Sequence, residues 1–139
     1  MPLGKFTIIV VEFGMELNEL TYNIRGAIFA VYKELGPGLL ESYYEQALCY
    51  ELKARGLSVQ KQIPIMAGYK EMPMDLGFRL DILVDDQIII EIKSVELLHD
   101  VHKKQLLTYL KLTKKKLGIL VNFNVAHLED KISLIRIIN

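Results

Sequence analysis

The chain has 139 residues, 51% of them apolar and 24% charged, which suits one folded domain with its own core and excludes a disordered or low-complexity chain. Its single cysteine, Cys49, excludes an internal disulfide and a cysteine-held zinc cluster, and fits the cytoplasm. The net charge is zero but unevenly spread: residues 1–100 carry 9 Lys+Arg and 15 Asp+Glu (−6), and residues 101–139 carry 8 and 2 (+6). No apolar run reaches the length of a membrane span, so no membrane association is expected.

In chain order, Phe6 to Phe13 is strand-like and set apart by Gly14. With Glu12 in it, the stretch makes a poor signal peptide, and residues 1–14 are expected to form an extension or an edge strand beside a single domain over residues 15–139. Leu17 to Leu35 is a helix, since Leu20, Ile24, Ala27, Ile28, Val31 and Leu35 recur at helical spacing, with Asn18 or Thr21 as its cap and Gly36-Pro37-Gly38 as its end. Leu39 to Arg55 is a second helix with Leu40, Tyr44, Ala47, Leu48 and Leu52 as its apolar stripe. Leu57 to Ile65 is a strand, and Pro64 puts it at a sheet edge or ends it there. Tyr69-Lys70-Glu71 is a turn or a short strand.

Arg79 to Ser94 is the most informative stretch. Phe78 to Val84 and Ile88 to Lys93 read as two strands around the turn Asp85-Asp86-Gln87. The near-continuous Ile run of the second strand implies that both its faces are covered. If Val84 lies opposite Ile88, Asp81 lies opposite Glu91, and Lys93 shares a face with Glu91 because side chains alternate along a strand. Two carboxylates then meet at one end of an apolar hairpin, where repulsion and partial burial penalise both. A divalent cation relieves that penalty, and an amine beside it can hold an attacking water or developing phosphate charge. E-x-K alone is weak: it also occurs at Glu51-Leu52-Lys53 and Glu129-Asp130-Lys131, and the plain alternative is a half-exposed strand end.

A third helix runs from about His102 to Leu112, with Leu106, Leu107 and Leu110 toward the core. His102, Gln105 and Tyr109 form a neighbouring stripe that can face the carboxylates. His99 and His102 are three apart, but His127 is remote, so zinc is not expected. Lys103, Lys104, Lys111, Lys114, Lys115 and Lys116 form a basic group suited to nucleic acid, or simply a solvated helix face. Leu117 to Phe123 is an apolar strand, parallel to the previous one through a helical crossover. Ile132 to Ile138 is the last strand.

The order helix, strand, strand, strand, helix, strand, with Asp81 and Glu91-Ile92-Lys93 on the second and third strands, resembles the PD-(D/E)XK nuclease superfamily. Within it the chain looks like the small GxxExxY family. Gly38-Leu39-Leu40-Glu41-Ser42-Tyr43-Tyr44, Arg79-Leu80-Asp81, Glu91-Ile92-Lys93, Gln105-Leu106-Leu107-Thr108-Tyr109-Leu110 and Asn122-Phe123-Asn124 carry the likeness, over roughly Leu17 to the C-terminus. Leu80 stands where the superfamily's name has Pro. The resemblance implies an α/β (α+β mixed-sheet) fold with a restriction-endonuclease-like αβββαβ core and an added N-terminal helix. It implies Mg²⁺ (or Mn²⁺) held by Asp81, Glu91 and Glu41, the Ile92 carbonyl as a further ligand, Lys93 on the attacking water, and Gln105 completing the catalytic set. Tyr44, Arg79, His102 and Tyr109 are supporting candidates. The function expected is metal-dependent hydrolysis of phosphodiester bonds, in DNA first, by a monomer or a homodimer. The alternative is a non-catalytic nucleic-acid-binding or regulatory module that keeps the fold.

Overall fold

A computed structural model of the chain describes residues 2–139, with side-chain surroundings from Leu17 onward. The elements are α1 (Pro2–Leu35), α2 (Glu41–Ala54), β1 (Val59–Tyr69), β2 (Met72–Val84), β3 (Ile88–Lys93), α3 (Asp100–Thr113), β4 (Leu117–Asn122) and β5 (Leu134–Ile138). The strands form one sheet in the order β1-β2-β3-β4-β5, antiparallel except for the parallel pair β3–β4 joined through α3. This is the expected mixed α/β architecture, with β1, the strand that carries Pro64, at an edge.

The sheet is covered on both faces, and β3 shows why its Ile run is continuous. Ile88, Ile90 and Ile92 pack with Leu20, Ile24, Ile28 and Val31 of α1 and with Tyr44, Leu48 and Leu52 of α2. Ile89 packs on the other face with Leu106, Tyr109 and Leu110 of α3. β4 divides in the same way: Leu117, Ile119 and Val121 join the first face, and Leu120 joins the second. Gly118 has no side chain to offer. A Cβ there would meet Leu106 Cδ1 at 2.9 Å, so the missing side chain lets α3 lie close on the sheet.

Several expectations are corrected. Phe6 to Phe13 falls in α1 rather than in a strand, and none of the five strands comes from residues 1–14. β-Branched residues disfavour a helix only slightly, and an internal glycine such as Gly14 costs about 1 kcal/mol, so neither stops it. Asn18 and Thr21 are inside α1 and cap nothing; Thr21 Oγ1 donates to the Leu17 carbonyl at 2.9 Å. Leu40 is exposed at the position before α2 and does not join its stripe, and Leu107 is half-buried while Tyr109 takes the core position. Ile132 lies in a turn, exposed, and β5 begins at Leu134. The β1–β2 hairpin is longer than expected, with its turn at Lys70-Glu71, so Met66 to Gly77 form a projecting arm.

Candidate functional site

The hairpin register is the one expected: Val84 faces Ile88 and Ile82 faces Ile90. The paired ladder then stops. In place of the next backbone pair, the Asp81 N–H donates to Glu91 Oε1 at 3.1 Å, and the Ile92 N–H donates to Asp81 Oδ2 at 2.8 Å. Each carboxylate therefore reaches the backbone of the other's strand, and the two strands part around them. On its other side Asp81 faces a second irregularity. β1 and β2 pair from Val59↔Val84 to Lys61↔Ile82 and again from Ile63↔Leu80, leaving Gln62, at φ 52°, opposite Asp81. The sheet face changes across this point: Val59 and Ile82 pack on the α1–α2 side, Ile63 and Leu80 on the α3 side. A left-handed non-glycine residue inside a strand is uncommon and marks a local kink. Asp81 thus sits where the sheet is broken on both sides.

Glu91 is 4% exposed. Burial and the neighbouring Asp81 push its carboxyl up to about 8, against the pull of the Asp81 N–H and of Lys93. Lys93, half-buried, follows on the same face, and its charge also reaches His102 of α3. Burial, Lys93 and His99 hold His102 below the ordinary imidazole range, while Glu41 opposes them. Tyr109 is pushed up by burial and by the charges of Glu91 and Asp81, with Gln105 pulling the other way. The stripe His102, Gln105, Tyr109 accordingly looks onto the carboxylate end of β3.

Glu41 stands apart from the pair. Its Oε1 accepts the Ser94 N–H at 3.3 Å, just beyond β3. Among the described residues no group of three or more His, Cys, Asp or Glu side chains is close enough to hold a metal ion, so Glu41 is not brought together with Asp81 and Glu91 as a ready-made third ligand. Instead α2 brings Glu45, one turn after Glu41, within the field of Asp81. Glu45 bonds Gln62 Nε2 at 2.8 Å, and its carboxyl is raised, first by burial and also by Asp81. Sequence reasoning missed Glu45; its i+4 spacing from Glu41 is the signal that points to it.

The remaining motif pieces hold this end together. Tyr44 is fully buried and stacked on Phe123, with ring centroids 4.4 Å apart. Its hydroxyl donates to the Gly36 carbonyl at 2.5 Å and accepts from the Leu39 N–H at 3.2 Å, which pins the loop before Glu41. Gly38 in that loop has φ +96°, open to glycine at no steric cost. The buried Asn122 clamps the chain leaving β3: its carboxamide donates to the Val95 carbonyl at 2.9 Å and accepts from the Val95 and Asn124 N–H groups at 3.1 and 3.2 Å. Ser94 Oγ ties the two loops together by donating to the Leu39 carbonyl at 2.6 Å.

The lysines do not form one patch. Lys103, Lys104 and Lys111 are exposed on α3, but Lys114, Lys115 and Lys116 lie past its far end, around a shallow pocket with Asp86 and Gln87 at the β2–β3 turn. Lys115 pairs with Asp86 there at 3.0 Å. Arg79 is exposed on β2, its guanidinium 3.5 Å from the Gln62 carbonyl. His99 and His102 are joined through the His99 N–H and His102 Nδ1 at 3.0 Å, and His127 is exposed elsewhere.

The residues present fit a hard divalent cation. Asp81 and Glu91 offer two oxygen donors from parted strands, and the charge of Lys93 reaches Glu91. Mg²⁺ is commonly held by one or two carboxylates, with water and substrate phosphate completing its shell. A cavity of about 520 Å³ between α1 and β5 involves none of these groups; Tyr22, Arg25, Asp130 and Leu134 are among its lining residues. No helix among the described residues is long and apolar enough to cross a membrane.

A family model described as the PD-(D/E)XK nuclease superfamily matches residues 18–135, and the chain belongs to that superfamily. No curated protein and no solved structure matches the chain.

Proposed function

We propose that this member of the PD-(D/E)XK nuclease superfamily is a Mg²⁺- or Mn²⁺-dependent nuclease of the GxxExxY kind, acting on DNA through the parted end of β2 and β3. Residues 15–139 would be the nuclease domain and residues 1–14 an appendage to it. The observation that carries the reading is the pair of crossed hydrogen bonds by which Asp81 and Glu91 replace the strand ladder beside Lys93. A sheet normally continues its ladder, and a buried Glu91 carboxyl beside the half-buried Asp81 is costly unless a cation uses the pair.

In this reading Asp81 and Glu91 would hold the metal ion, which when bound would supply Lewis acidity toward phosphate and the attacking water. Lys93 orients that water and balances the charge gathering on the non-bridging phosphate oxygens. A water oxygen–phosphorus bond forms as the water gives up one proton to solvent, and the phosphorus–oxygen bond to the leaving group breaks as the leaving oxygen takes one up, so no proton is gained or lost overall. Gln105 would steady the Tyr109 hydroxyl, on the stripe of α3 that feels the charges of the two carboxylates. Glu41, held at Ser94, and Glu45, held at Gln62, set the charge on the α2 side. Lys103 and Lys104, near the start of α3, would meet the substrate backbone.

Calorimetric titration of Mg²⁺ and Mn²⁺ tests the reading. Binding by the wild-type protein that is lost in both Asp81→Ala and Glu91→Ala, with cleavage of single- or double-stranded DNA lost alongside it, is the expected result. Cleavage that survives Asp81→Ala would refute the assignment.

A further inference from the structure

We propose that Phe78 is a stacking platform for an unpaired nucleobase, so that the site acts on strands whose bases are free; the inference rests on the nuclease reading and names its substrate class. Phe78 lies on β2 three residues before Asp81, about 10 Å along the strand, or about three base rises. It is 49% exposed, although the strand residues on either side of the site are among the best buried in the molecule. Its ring is backed by Tyr109, with centroids 5.8 Å apart and planes tilted by 45°. Tyr109 is itself buried, and its hydroxyl feels the charges of Glu91 and Asp81. Phe78 is therefore an aromatic ring fixed from behind at the rim of the carboxylate site, with the rest of its surface open.

Its surroundings suit one occupant. Arg79, the next residue of β2, is exposed, its guanidinium 3.5 Å from the Gln62 carbonyl, and adds a cation at this end of the strand. Farther along the arm Met74, Met72 and Tyr69 are exposed in turn, with the Lys70 ammonium 5.6 Å above the Tyr69 ring. Interleaved aromatic and cationic side chains leading to a site are how single strands are tracked, because every base has a π-face. Bases inside a duplex are already stacked on each other and have no face to give.

The test uses the full chain and two labelled probes, a short oligothymidylate and the same oligonucleotide with abasic positions, followed by fluorescence anisotropy in metal-free buffer. Phe78→Ala is expected to weaken binding of the oligothymidylate about tenfold, Phe78→Trp to restore it, and all three proteins to bind the abasic probe alike. Thermal melting of each variant checks the fold. An equal loss on both probes, no loss on either, or no binding of either by the wild type would overturn the proposal. The two readings fail separately. Base-dependent binding without cleavage in Mg²⁺ or Mn²⁺ would sink the nuclease assignment and leave the platform. Cleavage with no base-dependent effect of Phe78 would sink the platform and leave the nuclease.

Discussion

The β2–β3 hairpin carries two pairs of carboxylates, one at each end, and their treatment is opposite. At the turn, Asp85 and Asp86 take left-handed conformations at φ 50° and 54°, which match the twist of a tight hairpin. Asp85 Oδ1 accepts the Ser58 N–H at 2.7 Å, and Asp86 meets the Lys115 ammonium at 3.0 Å. Asp86 is exposed, and the half-buried Asp85 has a backbone partner in the next loop. At the open end, Asp81 and Glu91 face each other, each accepts a backbone N–H from the other's strand, and they sit where the sheet is kinked on one side and unzipped on the other. The turn end serves the fold. The open end gives up stability to hold charge in a buried place, which is where a functional site is expected.

The sharpest way to break this contrast is to neutralise one carboxylate at each end. Asp81→Asn or Glu91→Gln is expected to lower cleavage by about a thousandfold or more, the loss of several kcal/mol of metal-assisted stabilisation, and to abolish Mg²⁺ binding in calorimetry. The same variants should melt no lower than wild type without metal, because each removes a repulsion while the introduced amide oxygen still accepts the backbone hydrogen bond. Asp86→Asn should leave cleavage unchanged. Equal losses at both ends would show that the open end is not special.

Proton linkage separates the ends as well. The Glu91 carboxyl rises from 4.5 to about 8 on folding. Between those values the folded chain holds a proton that the unfolded chain has released, so stability falls as pH rises through that window and levels off above about 8. Melting of the metal-free protein across pH 5 to 9, at intervals of about one unit, should follow this slope, and Glu91→Gln should flatten it. Saturating Mg²⁺ should flatten it too, since metal binding displaces the proton. A wild-type slope that Glu91→Gln leaves intact would assign the titration to another group.

Asn122→Ala comes next in size. It deletes a carboxamide that bonds the Val95 N–H, the Val95 carbonyl and the Asn124 N–H, leaving buried groups unpaired, at a cost of about 1–3 kcal/mol read by chemical denaturation. Since that clamp also sets the chain leaving Lys93, kcat should fall by about tenfold or more with little change in KM. A loss confined to stability would make Asn122 purely structural.

How much of this is legible in the sequence follows the kind of interaction involved. The β3 strand is readable to the residue, because an Ile run between an Asp turn and a charged end has few other uses, and its register follows from a loop of known length. The Asp81–Glu91 meeting comes with it. What escapes depends on pairings between elements distant in the chain. The arm is hidden because Gly68, Pro73 and Gly77 punctuate it like a loop, while pairing across the hairpin overrides their weak preference. Glu45 reads as surface from its neighbours alone, since its partner Gln62 belongs to another element. Only half of Tyr44's role lies among its neighbours, the hydroxyl bonds to Gly36 and Leu39; its stacking partner Phe123 is far along the chain. The lysines read as one group because they are close in sequence, yet a helix of 14 residues carries its ends about 20 Å apart.

That last separation gives the smallest predicted effect and the finest test of the two ends. Lys103 and Lys104 lie near the start of α3, the end that receives the chain from β3, and Lys103 has only a long 3.9 Å approach to Asp100. Lys115 lies at the turn end and is already paired with Asp86. Replacing Lys103 and Lys104 together with glutamine should weaken oligonucleotide binding severalfold at low salt and reduce the slope of log affinity against log salt by up to about two, one for each phosphate no longer neutralised. Lys115→Gln should leave both quantities unchanged and alter stability by under about 1 kcal/mol, as expected of an ion pair with an exposed partner. The reverse ranking would place the nucleic acid at the turn end, and would separate binding from the carboxylate site altogether.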